Sequence, residues 1–111
     1  MATTLKQLGQ LRPTNTTAAT IYSPGANTET IVKSIVVCNT TASAVKYRIF
    51  WDDNGTTYDE TTALYFDVNL PGNTTDTHEL NITMNDSTGN IAVRTDTNNA
   101  INFTCSGVEI T

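Results

Sequence analysis

The chain is short of nearly everything that catalysis, metal binding or disulfide stapling draws on. It has one histidine, two cysteines and six glycines in 111 residues. A zinc site needs three or four closely spaced His, Cys or acid ligands, and His78 with the distant Cys38 and Cys105 does not supply them. No GxSxG-type turn presents a serine nucleophile to His78, so a Ser-His-Asp arrangement has no starting point. No glycine-rich phosphate loop is present either. The expectation is a protein that is not an enzyme and carries no cofactor and no metal.

Charge is also scarce, at 15% of residues with a net value of −5. Nucleic-acid-binding domains carry a basic stripe, so no nucleic-acid partner is expected. No stretch approaches the roughly 20 apolar residues of a membrane span. The N-terminus, MATTLKQLGQLRP, has no apolar run long enough for a secretory signal. A chain made in a reducing cytoplasm follows, with Cys38 and Cys105 as free thiols. What charge there is divides unevenly. Residues 1–28 hold Lys6 and Arg12 and no acid, and all 11 acids lie from Glu29 onward.

What the chain does have is threonine, roughly a fifth of its residues, and asparagine, about a tenth. Threonine is β-branched and suits a half-buried pleat, whereas asparagine suits turns because it tolerates left-handed backbone. No window shows a clear helical period, and strict alternation is plain instead. Val45, Tyr47, Ile49 and Trp51 alternate with polar neighbours. So do Leu64, Phe66, Val68 and Leu70, then Leu80, Ile82 and Met84, then Ile101, Phe103 and Cys105. Strands are expected near 18–23, 30–38, 44–52, 62–70, 76–84, 90–95 and 100–110. Pro24-Gly25 and Pro71-Gly72 suit tight turns in which glycine supplies positive φ, and Asn54-Gly55 signals a hairpin. This predicts an all-β fold: an antiparallel β-sandwich, jelly-roll or immunoglobulin-like, of seven to eight strands. An N-terminal arm (1–17) would precede the sandwich domain (18–111).

Two longer patterns bear on the architecture. IYSPGANTETIVKSIVV (21–37) lines up with VNLPGNTTDTHELNITM (68–84), and Val45, Tyr47 and Arg48 with Ile91, Val93 and Arg94. Two similar halves would form two similar sheets facing each other. Cys38, Trp51 and Cys105 echo the Cys…Trp…Cys spacing of an immunoglobulin variable domain, but too few residues follow Cys105 for that fold's last strand.

Three groups of residues are candidates for contact with something else. In the arm, Leu5, Leu8 and Leu11 recur every third residue beside Lys6 and Arg12, and Pro13 ends any helical turn. Exposed leucines need cover, from the chain's own body or from a neighbour. Tyr22, Tyr58 and Tyr65 are the candidate surface aromatics, able to stack on a sugar or to line a protein interface. Asp52, Asp53, Asp59 and Glu60 form the densest acid cluster, a weak calcium candidate because its acids do not alternate as in an EF-hand loop.

The run TAATIYSPGANTETIVKSIVVCNTTASAVKYRIFWDDNGTTYDETTALYFDV resembles small β-sandwich virion structural proteins of tailed bacteriophages. The likeness rests on the pattern around ATIYSP, the strand ending in VVCNTT and the DDNGTTY hairpin, and it extends through NDSTGNIAVR to Arg94. It implies a capsid decoration (cement) protein on the virion surface, often a homotrimer, with the major capsid protein or other virion proteins as partners. It also leaves open a tail or fibre component. Such proteins have no catalytic residues. A carbohydrate- or cell-surface-binding module is the alternative from a different class.

Overall fold

The structure is a computed structural model, and it describes residues 2–53, 57–85 and 89–111. It contains eight strands: β1 (Thr3–Leu11), β2 (Ala19–Tyr22), β3 (Glu29–Asn39), β4 (Val45–Asp52), β5 (Ala63–Leu70), β6 (Thr75–Asn85), β7 (Asn90–Thr95) and β8 (Ile101–Ile110). No helix occurs among the described residues. One four-stranded sheet, sheet A, runs β1-β8-β3-β6, and the other, sheet B, runs β2-β7-β4-β5. All pairings are antiparallel. The first strand pairs with the eighth, the second with the seventh, the third with the sixth and the fourth with the fifth. Four nested strand pairs rolled into two layers make a jelly roll rather than an immunoglobulin sandwich.

The seven strands expected from residue 18 onward are all present, with ends within one residue of the alternation boundaries. The eighth is a correction. Residues 3–11, expected to belong to an arm, form β1, an edge strand hydrogen-bonded to β8 from Thr3↔Ile110 to Leu11↔Phe103. A register shift between Gln7 and Gly9 turns both Leu8 and Leu11 inward, where they pack against the core. A three-residue spacing cannot do this in a regular strand, so the bulge replaces the helical turn as its explanation. A Cβ at Gly9 would collide with the carbonyl oxygen of Ile21, so glycine there lets β1 pass close to β2.

The core lies between the sheets. Val32, Ile35, Val37, Ile101, Phe103 and Cys105 from sheet A meet Val45, Tyr47, Ile49, Leu70, Ile91 and Val93 from sheet B. Trp51, Leu80 and Ile82 pack against it half-buried, as their alternation predicts. In β5 the expected face is wrong for two residues. Leu64 and Phe66 are 37% and 39% exposed, while Tyr65 and Val68 pack against the core. The cause is Asp67, whose φ of 52° puts it in the left-handed region. Tyr47 pairs with Val68 but Ile49 pairs with Tyr65, so Arg48 faces two residues of β5 and Phe66 and Tyr65 exchange sides; a second shift follows between Ile49 and Phe50.

Two further expectations need revision. The repeat does not build two facing sheets, because each half contributes to both. Repeat partners β3 and β6 lie side by side in sheet A, and β4 and β7 in sheet B, where Arg48 pairs with Arg94. That is an interleaved, locally two-fold arrangement. In the Pro-Gly turns the positive φ falls on Asn27 and Asn73, at 58° each, and on neither Gly25 nor Gly72. Gly72 is needed for a different reason: a Cβ there would strike the backbone of Ala42. The Asn54-Gly55 hairpin signal lies outside the described residues.

Candidate functional site

The residues read as a binding arm are mostly occupied within the chain. Lys6 Nζ lies 3.1 Å from Glu109 Oε1. Arg12 donates from Nε and Nη2 to the Asn99 carbonyl oxygen, at 3.1 and 2.5 Å. Leu8 and Leu11 are packed on the core, which leaves Leu5, 80% exposed, as the one leucine of the three turned to solvent.

The tyrosines are likewise engaged. Tyr22 is buried rather than presented on the surface. Its hydroxyl donates to Glu109 Oε2 at 2.6 Å and lies 2.8 Å from Thr30 Oγ1. Burial and the Glu109 carboxylate push its phenol up to about 12. The Tyr22 and Lys6 bonds in turn hold the Glu109 carboxyl below its usual range. The three residues thus tie β1, β2 and β8 together. Tyr58 is half-exposed and folds back over Phe50, donating to Asn90 Oδ1 at 2.7 Å and bonding Thr20 Oγ1 at 2.9 Å. Tyr65, flipped inward by the β5 bulge, stacks on His78 with ring centroids 3.9 Å apart. No two of them present free ring faces side by side, as a sugar platform requires.

The acidic segment splits by role. Asp52 is buried, and its Oδ2 accepts the Thr57 N–H at 2.8 Å. Asp59 Oδ1 accepts the N–H and hydroxyl of Thr61, which hold its carboxyl below the usual range. Asp53 and Glu60 are exposed. Among the described residues no three His, Cys, Asp or Glu side chains gather as a metal would need.

One polar cluster escapes the sequence. Tyr47 donates its hydroxyl proton to Asp76 Oδ2 at 2.8 Å and sits 2.6 Å from His78 Nε2. With the Tyr47 proton directed at Asp76, His78 Nε2–H is the donor to the phenol oxygen. Burial lowers the His78 pKa, partly offset by Asp76. Burial and Asp76 together push the Tyr47 phenol well up, so it stays protonated. The cluster pins β4 to β6 across the sheets, with its phenol buried and engaged by both partners. Its one legible signal was Asp76 and His78 two apart on a strand facing the Tyr47 strand.

The cysteines stand as expected, free of one another. Both lie in sheet A, where Cys105 pairs with Ile35 and faces the core while Cys38 points out of the opposite face. A disulfide cannot cross a sheet in that way. Burial pushes the Cys105 thiol up to about 12.

Outside the core, sheet B carries Arg48, bidentate on Asp67 at 2.6 and 3.0 Å and stacked 3.8 Å above the Phe66 ring. The pair covers part of the apolar surface that the β5 bulge exposes. The outer face of sheet A has no such ion pair at its centre. There β8 turns out Asn102, Thr104, Ser106, Val108 and Ile110, beside Ile31, Ser34, Val36 and Cys38 of β3.

No protein-family model and no curated protein sequence matches the chain. Solved structures do. A chain of the T13 viral particle of infectious bursal disease virus superposes with a TM-score of 0.59 at 14% identity, over 97% of this chain and 30% of that one. The Gx strain of that virus gives 0.55 at 15% identity, over 97% and 32%. The virus's VP2 subviral particle gives 0.51 at 14% identity, over 97% and 31%. The present chain thus spans less than a third of those chains. At such identity the likeness is one of fold.

Proposed function

We propose that this chain is a non-enzymatic structural protein of a virion, of the capsid decoration type, that binds the head surface of a tailed phage as an oligomer. The observation that carries the reading is the fold itself: 97% of the chain superposes on chains of viral particles as an eight-stranded jelly roll. Jelly rolls recur in viral capsids because the wedge of two packed sheets tiles a surface. The sequence resemblance to phage decoration proteins points the same way and implies three copies and the major capsid protein as partner. A structural role also fits the chemistry, since Tyr47, Asp76 and His78 are committed to bonds that join the two sheets and the Tyr47 phenol is buried.

The sugar-binding alternative draws less support, because Tyr22 is buried, Tyr65 stacks on His78 and the hydroxyl of the half-exposed Tyr58 is bonded to Asn90. The test is to add the purified protein to capsids that lack it and to pellet the particles. Saturable co-sedimentation with intact heads is expected. Absence from heads with presence in purified tails would move the protein to the tail or fibre class. Absence from both would end the virion reading.

A further inference from the structure

The outer faces of the two sheets differ in what they offer. On sheet B, residues 57–62 fold over Phe50 through Tyr58, and Arg48, Asp67 and Phe66 occupy the next stretch. On sheet A the strand register aligns outward residues in rows: Leu5, Val108, Ile31 and Thr83 in one, Gln10, Thr104, Val36 and Thr77 in another. Between them Ser34 and Ser106 share a hydroxyl hydrogen bond of 2.6 Å. The outward positions of β1 and β8 carry no charge. Glu29 and Glu79 lie at a strand end and on the edge strand, and Lys33 is bonded to Asn81.

We infer that the outer face of sheet A is a self-association surface, and that its occupant is the same face of a second copy of this chain. The inference rests on the structural reading above for its biological meaning and puts two copies in place of the three that the resemblance implies. Charge is the first argument. With a net charge of −5, copies repel except where contact avoids carboxylates, and this face holds them only at its margins. Hydrogen-bonding chemistry is the second. Hydroxyls and amides such as Thr104, Thr77, Asn102 and Gln10 both donate and accept, so a face built of them is complementary to itself, as a two-fold contact demands. Size is the third. Four strands about 4.8 Å apart, over about 30 Å of length, bury about 600 Å² per copy, or about 1,200 Å² in all, the lower bound of a specific interface. Leu5, 80% exposed at one side of this face, then gains the cover it lacks in a single copy. Depletion of charge with interspersed apolar side chains is the composition of an interface centre.

Sedimentation velocity of the full chain over a wide concentration range tests this, alongside Thr104→Lys and Val108→Lys. Both sites point outward, so both variants are expected to keep the wild-type circular dichroism. Wild type is expected to reach twice its 12.0 kDa mass, and each folded variant to self-associate at least about ten-fold more weakly. Lys46→Glu, outside this face, serves as the control and is expected to match wild type. Cys38 gives a reading that needs no variant on the face: its alkylation should slow as protein concentration rises. A wild type that stays single at hundreds of micromolar, or forms three copies, overturns the inference. So does a mass unaffected by both lysines, or a Cys38 rate independent of concentration. Pelleting wild type with capsids separates the two readings. Head binding by a wild type that stays single in solution defeats this inference alone. Failure of wild type to bind heads while it still pairs in solution defeats only the virion reading.

Discussion

At the scale of single residues, asparagine does more here than its turn-forming reputation implies. Asn27, Asn73 and Asn99 take the left-handed backbone that the turns require. Asn39 is different, because it is buried at 1% exposure. Its Nδ2 donates to the carbonyls of Ser43 and Leu70 at 2.9 and 3.1 Å, and its Oδ1 accepts the N–H and hydroxyl of Thr41. One side chain thereby joins the β3–β4 connection to the end of β5. Removing it leaves backbone groups without partners in a place water does not reach. Asn39→Ala should therefore cost about 2–4 kcal/mol, since each buried orphaned polar group costs about 1–3 kcal/mol. Urea titration of wild type and variant gives the difference, and a shift under about 0.5 kcal/mol would remove Asn39 from that role.

At the scale of elements, β1 decides how the N-terminal residues must be studied. It closes the edge of sheet A along β8 and delivers Leu8 and Leu11 to the core. Burying a leucine fully is worth about 1.5–3 kcal/mol, so two half-buried ones and an edge ladder amount to several kcal/mol. Deleting residues 2–12 is expected to lower the urea midpoint clearly and to expose the β8 edge to aggregation. Size-exclusion chromatography and urea titration check this. A truncated chain as stable and as soluble as wild type would return β1 to the status of a dispensable arm. Truncation therefore cannot by itself separate a binding role from a folding one, and Leu5→Lys is the cleaner probe. The inverted face of β5 carries the same lesson. Alternation placed Leu64 and Phe66 inside, and a single left-handed Asp67 turned them out.

At the scale of the whole molecule, the pH profile of stability follows from groups spread over both sheets. The His78 pKa is lowered by burial, so the unfolded chain binds protons that the folded chain resists. Its contribution is fully present above its ordinary value of 6.5 and fades as pH falls below it. Glu109, also held low, acts only below its ordinary value of 4.5. On the alkaline side Cys105, raised from 9.0, and Tyr22, raised from 10.0, are stabilising below those values and lose that effect as pH climbs past them. The expected curve is a plateau from about pH 6.5 to 9, with a first acid step owed to His78. Urea midpoints across pH should show that step in wild type and a flatter course between pH 5 and 6.5 in His78→Gln. An unchanged step in the variant would assign it elsewhere.

Strand identity and extent were legible in the linear pattern because a period of two is a local property, set by which neighbours along the chain are apolar. That is why seven strands could be delimited, and why Ile49, Phe103 and Cys105 could be placed in the core. The free state of the thiols followed from their small number and wide separation in sequence. The pairing of those strands was not legible. Whether β1 stands off or closes a sheet, and whether the repeat halves face each other or interleave, depends on contacts between residues far apart in sequence. The same holds for the candidate site. Tyr22, Lys6 and Arg12 read as free to bind because their partners Glu109 and Asn99 lie 87 residues from Tyr22 and Arg12 respectively. The charge-poor centre of the outer face of sheet A exists only once β1, β8, β3 and β6 are laid side by side. A surface is a property of neighbours in space, and in a jelly roll nearly all such neighbours are distant along the chain.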